Sequence, residues 1–397
     1  MISIDDESLI RFAVALARTP SVSGGEGAAV EMTATQLERL GFSDVSIDDS
    51  GNCVGILGRP DGPRLLVDGH IDSIPLHSED KWTVDPFGGE IRDGRLYGLG
   101  ICDQKGSIAA AAHGLAALFA DPDSRPAGQV ALVASVNEED VEGAALAEVV
   151  ASFQPTWAIT TEPSDTRLCI GQRGRAKVAV TITGRACHAG HSSEGVNAAE
   201  ALGAMVDAVR ALAHPTHPRL GRRDITCIDV ASWPYPSVST VPGRALARFD
   251  CRFLPEETPA TLMATLRAAA DEAWASWPDP PEIEIELVVA EFATWKGKQF
   301  CVPEFEAAWW TDEKSDLVRG AQAGLIQAGL DPSPTHYSFC TNGSYLAGAA
   351  GIPTIGFGVG EEHIAHQVDE YLTLTSLRRG AAGFAAIAAQ LLGCARP

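Results

Sequence analysis

The stretch "VDGHID" at 67–72 places a histidine and an aspartate two residues apart at the end of an apolar run. Side chains alternate along a strand, so His70 and Asp72 point the same way if the extended backbone persists through Ile71. A metal ligand and the carboxylate that orients it need that arrangement. Taken alone, the pair reads more readily as a solvated strand end. The rest of the chain repeats the chemistry. Asp103 lies in "GICDQKG", Glu138 and Glu139 lie in "NEED", Glu162 follows "WAIT", and His366 sits in "EEHIAHQVDE" after "GIPTIGFG".

In open α/β sheets, ligands bind beyond the carboxyl ends of the strands. Five strand-to-loop transitions thus deliver two histidines and five acidic residues to one sheet edge. Carboxylates so crowded repel one another in a partly dry site unless cations are bound. Imidazoles and carboxylates without thiolates suit zinc, manganese or cobalt. Two such ions need about six protein donors with positions open for water, and one carboxylate can bridge both. Neighbours on a chain do not easily bind one ion side by side. Of Glu138 and Glu139, one can ligate while the other faces the bound water as general base.

The elements that must position these residues come from the hydrophobic patterns. A helix is expected over about 24–40, short strands near 44–48 and 52–57, and the run "RLLVD" at 64–68. A small-residue helix follows at about 106–120, then the strand "QVALVASV", a helix near 142–152 and the strand "WAIT". This alternation predicts an α/β domain with a mostly parallel sheet. From about 175 the rhythm becomes β-α-β-β-α-β over some 115 residues, the pattern of a ferredoxin-like α+β sandwich. It reads as a domain inserted into the first. The expected division is 1–174 and 291–397 for the catalytic domain, with 175–290 as the insertion. The aromatic-rich segment 292–316 carries no motif that assigns it a role.

The 397 residues allow two or more cores, and 45% hydrophobic with 21% charged residues suits a soluble protein. A net charge of −22 argues against nucleic acid and anionic membranes as partners, since both would repel it. The N-terminus starts acidic and reads as an amphipathic helix capped near Asp5 or Asp6, not a signal peptide. Nine cysteines without a C-x-x-C pair suit a reducing cytoplasm. Cys102 and Cys187 flank the motifs and read as packing residues.

Together, "DGHIDSIP", "GICDQKGSIAA", "NEED" and "TEPS" resemble the dinuclear metallohydrolases that include acetylornithine deacetylase, succinyl-diaminopimelate desuccinylase, aminoacylase and glutamate carboxypeptidases. The resemblance covers nearly the whole chain, insertion included. Its segments 80–106 and 339–370 most resemble the branch designated selenium-metabolism hydrolase. The resemblance implies two divalent ions, with His70 and Glu162 on one, Glu139 and His366 on the other, and Asp103 bridging. It makes Asp72 the orienting partner of His70, Glu138 the general base, and the Asp103–Gln104 peptide cis. The insertion would be lid and dimer interface, with His188 reaching the partner's active site to stabilise an oxyanion.

Substrate contacts are less determined. Asn197 either contacts substrate or caps the following helix. Arg252 matches a position where relatives hold a substrate carboxylate, and reads nearly as well as a strand-surface arginine. Thr341, Asn342 and Gly343 in "CTNG" could offer donors to that carboxylate, or form a plain turn. The expected protein is a cytoplasmic, homodimeric two-metal amidohydrolase acting on a small N-acyl amino acid or a dipeptide. A dipeptidase or exopeptidase with the same site, or a non-catalytic metal-binding scaffold, are the competing readings. The presence of a base at Glu138 weighs against the scaffold.

Overall fold

The computed structural model describes residues 2–120 and 125–393. The chain divides into two compact units: Met1–Gln172 with Glu291–Phe300 and Trp310–Pro397, and Arg173–Ala290 with Cys301–Trp309.

In the first unit the sheet runs in the order Ser43–Ile47, Cys53–Gly58, Gln129–Ser135, Arg64–His70, Trp157–Thr160, Thr354–Gly356, Leu168–Gln172, with Pro334–Tyr337 beside the last. The four middle strands are parallel, and antiparallel pairs flank them. Alternation divides the middle strands' side chains between two cores. Leu65, Val67, Val130, Leu132 and Ala134 pack with the helices Gly106–Phe119, Asp316–Gln327 and Leu374–Leu391. Leu66, Ala131, Val133 and Ala158 face the opposite core under helix Ala147–Phe153. Both faces are covered, so these strands read as continuous apolar runs and polar residues emerge only at their ends.

The small-residue helix Gly106–Phe119 lies close against Leu374–Leu391. A Cβ added at Gly114 would stand 2.2 Å from the carbonyl oxygen of Ala381, so the close approach needs glycine there. That packing fixes the start of the helix just behind Asp103.

The second unit has strands Gly174–Thr183, Asp224–Trp233, Arg244–Phe253 and Glu282–Leu287, and helices Ala198–Ala211 and Pro259–Trp274. The sheet order is 224–233, 244–253, 174–183, 282–287, antiparallel throughout. This is the ferredoxin-like arrangement. Both helices bury leucine and alanine side chains on the inward residues of the sheet, with Met205 and Val209 added by the first and Trp274 by the second. Thr258 closes the start of the second helix with a capping box ahead of Pro259.

Differences from the patterns have local causes. The helix expected near 142–152 begins at Ala147, after a single turn at Ala144–Leu146, because Gly143 takes a left-handed φ of 77°. The helix expected from 24 spans Gly27–Arg39. Asp5 caps the N-terminal helix by accepting from the Ser8 amide. The chain's return after 290 is broken, since Cys301–Trp309 rejoins the second unit. There Phe305–Glu306 pairs with Arg175–Ala176, and Phe305 stacks on Phe253. No helix among the described residues is long and apolar enough to cross a membrane.

Candidate metal centre

Each site residue leaves the sheet of the first unit at a strand's carboxyl end or in a loop packed there. His70 is the last residue of its strand, and Ile71 still donates to the Ser135 carbonyl, so the extended course continues to Asp72. Glu138 and Glu139 follow Gln129–Ser135 across Asn137, whose φ is 56°. Asparagine tolerates that left-handed geometry better than most residues. Thr161 donates its amide to the Asp68 carbonyl and thereby delivers Glu162. Asp103 lies in the irregular turn Ile101–Lys105, and its peptide bond to Gln104 is cis. His366 comes from the loop after Thr354–Gly356.

These side chains converge. Nδ1 of His70 lies 3.0 Å from the Asp72 carbonyl oxygen and 3.5 Å from its carboxylate. An Nδ1–H donated there leaves the Nε2 lone pair free to ligate. Nε2 lies 3.1 Å from Oδ1 of Asp103 and 3.8 Å from both Glu138 and Glu162. The other oxygen of Asp103, Oδ2, is 3.2 Å from Nε2 of His366, which also meets Glu139 at 3.0 Å. Donor atoms of His70, Glu138 and Glu162 form one group within 4.8 Å of one another, and those of His70, Asp103 and Glu139 form another.

Burial pushes the carboxyls of Glu138 and Glu162 well above the usual range, and raises Glu139 despite its bond to His366. Burial would also raise Asp103, but the bonds from His366 and His70 outweigh it and hold that carboxyl down. Burial alone would lower His70, yet the charges of Glu138 and Glu162 and the bonds to Asp103 and Asp72 drive it well above its ordinary value. Bonds to Asp103 and Glu139 lift His366 to about 10. Without metal, protons on two imidazoles supply the positive charge that the carboxylates require. One buried oxygen each on Glu138 and Glu162 has no hydrogen-bond partner. The donor set therefore fits divalent cations: carboxylate and imidazole only, an excess of negative charge, orphan acceptors, and a central carboxylate facing two histidines.

The family description "Peptidase family M20/M25/M40" matches residues 66–390. The chain belongs to this family. It is 31% identical over 401 residues to a succinyl-diaminopimelate desuccinylase of Methylorubrum extorquens, covering 95% of this chain and 97% of that protein. It is 28% identical over 391 residues to the "Uncharacterized protein YgeY" of Escherichia coli (strain K12), covering 96% and 93%. Its fold is similar to aminopeptidase PepT from Bacillus cereus, with TM-score 0.75 at 18% identity over 98% of this chain and 99% of the other. The Bacillus subtilis YXEP protein, described as a dinuclear metal binding peptidase, gives TM-score 0.73 at 15% identity over 98% and 99%. This M20 protein is a metal-dependent hydrolase of amide bonds.

Within the enzyme, the other sequence-derived residues fall as follows. Thr341 is buried and donates its hydroxyl to Gln172. Asn342 is buried, donates to Asp68 and Ser135, and accepts from the Gly143 amide. The Gly343 amide donates to the Thr341 hydroxyl. These groups are engaged inside the first unit, which is the turn reading of "CTNG". In the second unit Asn197 caps its helix through the amides of Ala199 and Glu200. Arg252 pairs with Asp250 two residues away on its strand, at 2.7 Å. His188 is exposed, and its Nδ1 accepts from the Gly190 amide.

Several supporting residues escaped the sequence reading. Glu370 accepts from the amides of Gly100, Cys102 and Asp103, tying the loop after His366 to the turn that carries Asp103. It stands four residues past His366 inside a motif already noted, but no local spacing marks the distant amides it holds. His77 has a ring nitrogen 3.1 Å from the His366 carbonyl oxygen. Lys105 is fully buried, donates to the Thr19 carbonyl, and is pushed down to about 8 by burial. Cys102 is buried, and burial raises its thiol well above the ordinary value, as befits packing.

Proposed function

We propose that this M20 enzyme hydrolyses the amide bond of a small N-acyl amino acid bearing a free carboxylate. One observation carries the two-metal reading: Asp103 presents one oxygen to His70 and the other to His366, and each histidine has further carboxylates beside it. In this reading His70 and Glu162 hold one ion, Glu139 and His366 hold the other, and Asp103 bridges. Zinc suits the donors, with manganese or cobalt as substitutes. The ions would polarise the scissile carbonyl and lower the pKa of water. Glu138 takes the proton of the attacking water and passes it to the leaving amine. Burial, which raises the Glu138 carboxyl, suits a base that must hold that proton in between.

The second unit serves as lid and as the interface of a homodimer, and His188 of the partner subunit donates to the oxyanion. The Gly190 amide on Nδ1 favours this, because the neutral ring then carries its proton on Nε2. Arg252 binds the substrate carboxylate by giving up Asp250. The substrate class follows the desuccinylase relatives. No disulfide joins the described cysteines, which suits a cytoplasmic enzyme.

The test is to strip the protein of metal, reload it separately with zinc, manganese and cobalt, and compare N-acetyl and N-succinyl amino acids with dipeptides. Turnover of N-acyl amino acids above dipeptides is expected. Turnover of dipeptides alone would make the enzyme a dipeptidase, and turnover of neither with two ions bound would reject the reading.

A further inference from the structure

Glu26 is a fully buried carboxylate with no place in the mechanism above. It stands at the N-cap position of helix Gly27–Arg39, yet its side chain makes no capping bond to that helix. Its Oε1 instead accepts from two amides at 3.0 Å, those of Gly24 and Asn137. Its second oxygen has no partner. Carboxylates at this position ordinarily turn back on the helix amides, so this one has been directed elsewhere by its turn.

That turn is held on its outer side. The Gly25 amide donates to Val22, and Gly24 has a φ of 78°. The ring of Trp295 lies where a Cβ on Gly27 would come within 2.9 Å, and its Nε1–H donates to the Gly51 carbonyl. The Ala293 carbonyl oxygen is 3.2 Å from the corresponding point on Gly24. The tip Glu291–Phe300 of the aromatic-rich segment thus packs against the turn that carries Glu26.

On the inner side lies the turn that carries the base. Asn137 has a left-handed φ, and its amide goes to Glu26, while the next two amides, of Glu138 and Glu139, go to Asp72 at 3.2 and 3.0 Å. Ser23, from the same turn as Glu26, donates to Asp72 at 2.7 Å. Three successive amides therefore end on two neighbouring carboxylates, an anion-binding nest filled from within the protein. Asp72 alone fixes the amides of the two glutamates. The Val136 amide before them goes to Asn52 at 3.1 Å, so within this turn the Asn137 peptide N–H is the link that Glu26 holds, and releasing it would let that peptide rotate and swing Glu138.

We propose that Glu26 is a positioning residue for the general base, holding the Asn137 amide so that the left-handed turn presents Glu138 in one orientation. This deepens the reading of Glu138 as base and rests on it. Burial first, and then the charge of Asp72, push the Glu26 carboxyl up to about 7. A proton on the partnerless oxygen relieves repulsion from Asp72 without disturbing the oxygen that accepts both amides.

Three variants separate the ideas, each measured for metal content, for kcat and KM, and for hydrogen exchange of the amides at 137–139. Glu26→Gln keeps an acceptor at the same reach. It should exchange like wild type, with kcat within about threefold, because only the charge is lost. Glu26→Ala should bind two ions with KM little changed, lose roughly tenfold or more in kcat, and exchange at Asn137 roughly tenfold faster, the worth of one ordinary hydrogen bond. Glu26→Asp keeps the charge but falls short by one methylene, so it should resemble Glu26→Ala. Wild-type exchange at Asn137 in both Glu26→Ala and Glu26→Asp would overturn the proposal even if the enzyme's substrate were misassigned. Fast exchange with unchanged kcat would overturn the link to the base, and so would a kcat loss matched by loss of metal. If Glu26→Ala does not fold, Glu26→Asp decides. A Glu26→Gln variant as impaired as Glu26→Asp also counts against it, since charge and not the bond to Asn137 would then matter.

Discussion

Asp72 holds Glu139 as firmly as it holds His70. Its Oδ2 accepts the Glu139 amide at 3.0 Å and its Oδ1 accepts the Glu138 amide at 3.2 Å, while the carboxylate is 3.5 Å from the His70 ring. The shortest contact of that ring is with the main-chain oxygen of Asp72, at 3.0 Å. Burial would raise Asp72, but the bond to His70 and the further bonds from Ser23 and Glu139 keep it low and ionised. Asp72→Ala should therefore do more than loosen one ligand. The carbonyl still orients His70, whereas the turn bearing both glutamates loses two bonds. We expect metal affinity and kcat to fall together by about 10- to 100-fold each, the range for partners just outside the ligands. Chelator competition beside steady-state kinetics checks this, and a loss confined to one ion's affinity with kcat intact would contradict it.

Glu138 and Glu139 should separate by function. Glu138→Gln should keep both ions and lose at least roughly two orders of magnitude in kcat, the usual worth of a general base. Glu139→Gln should lose an ion, since Glu139 meets His366 at 3.0 Å. Metal analysis of the two purified variants decides. Glu138 is as close to His70 as Glu162 is, 3.8 Å each, so a Glu138→Gln protein lacking an ion would exchange the two assignments.

The candidate donors His70, Glu138, Glu139 and Glu162 could be gathered from the sequence because each follows an apolar run, and a parallel sheet with both faces covered can release polar residues only at its strand ends. The insertion was legible because its strands alternate while the first unit's do not. What stayed hidden is whatever depends on backbone amides. Glu26 and Glu370 act on N–H groups of residues more than a hundred positions away, and Asn342 turns inward to Asp68. No local spacing encodes such partners. For Asn197 and Arg252 the sequence left two roles open, and side-chain partners supply the choice it lacked: Asn197 caps its helix, and Arg252 pairs with Asp250 on its strand.

Metal binding should release protons. In the metal-free protein His366 is raised to about 10, by its bonds to Asp103 and Glu139, and His70 also lies well above its ordinary value. Ligation requires both rings neutral, so calorimetric titration near pH 7.5 in buffers of different ionisation enthalpy should show proton release that shrinks as pH rises. The stability sign follows. A group whose folded pKa is raised adds stability that is complete below its unfolded value, here 6.5, and is lost as pH climbs through about 10. Thermal melts of the metal-free protein should lose this contribution between those limits. The metal-loaded protein and a metal-free His366→Ala variant should lack that component. A melt profile identical in metal-free wild type and His366→Ala would contradict it.

The dimer prediction concerns His188, which stands on the second unit, more than a hundred residues beyond His70. If the partner subunit supplies it, each active centre draws its base from one chain and its oxyanion donor from the other. His188→Ala should then fold, dimerise and bind metal normally while losing about 100-fold or more in kcat, the typical cost of one oxyanion donor. Glu138→Gln should fail for a different reason. Mixed and allowed to exchange subunits, the two inactive proteins should recover activity. The heterodimer has one centre with both lesions, and one with an intact Glu138 and an intact His188. A statistical 1:1 mixture is half heterodimer, so recovery should approach about a quarter of the wild-type rate per chain. Analytical ultracentrifugation of each variant and mass spectrometry of the mixture establish that dimers form and exchange. With exchange shown, a mixture no more active than its parts would place His188 in its own chain's centre or outside the reaction. Recovery close to a quarter would be hard to explain unless the two chains share each site.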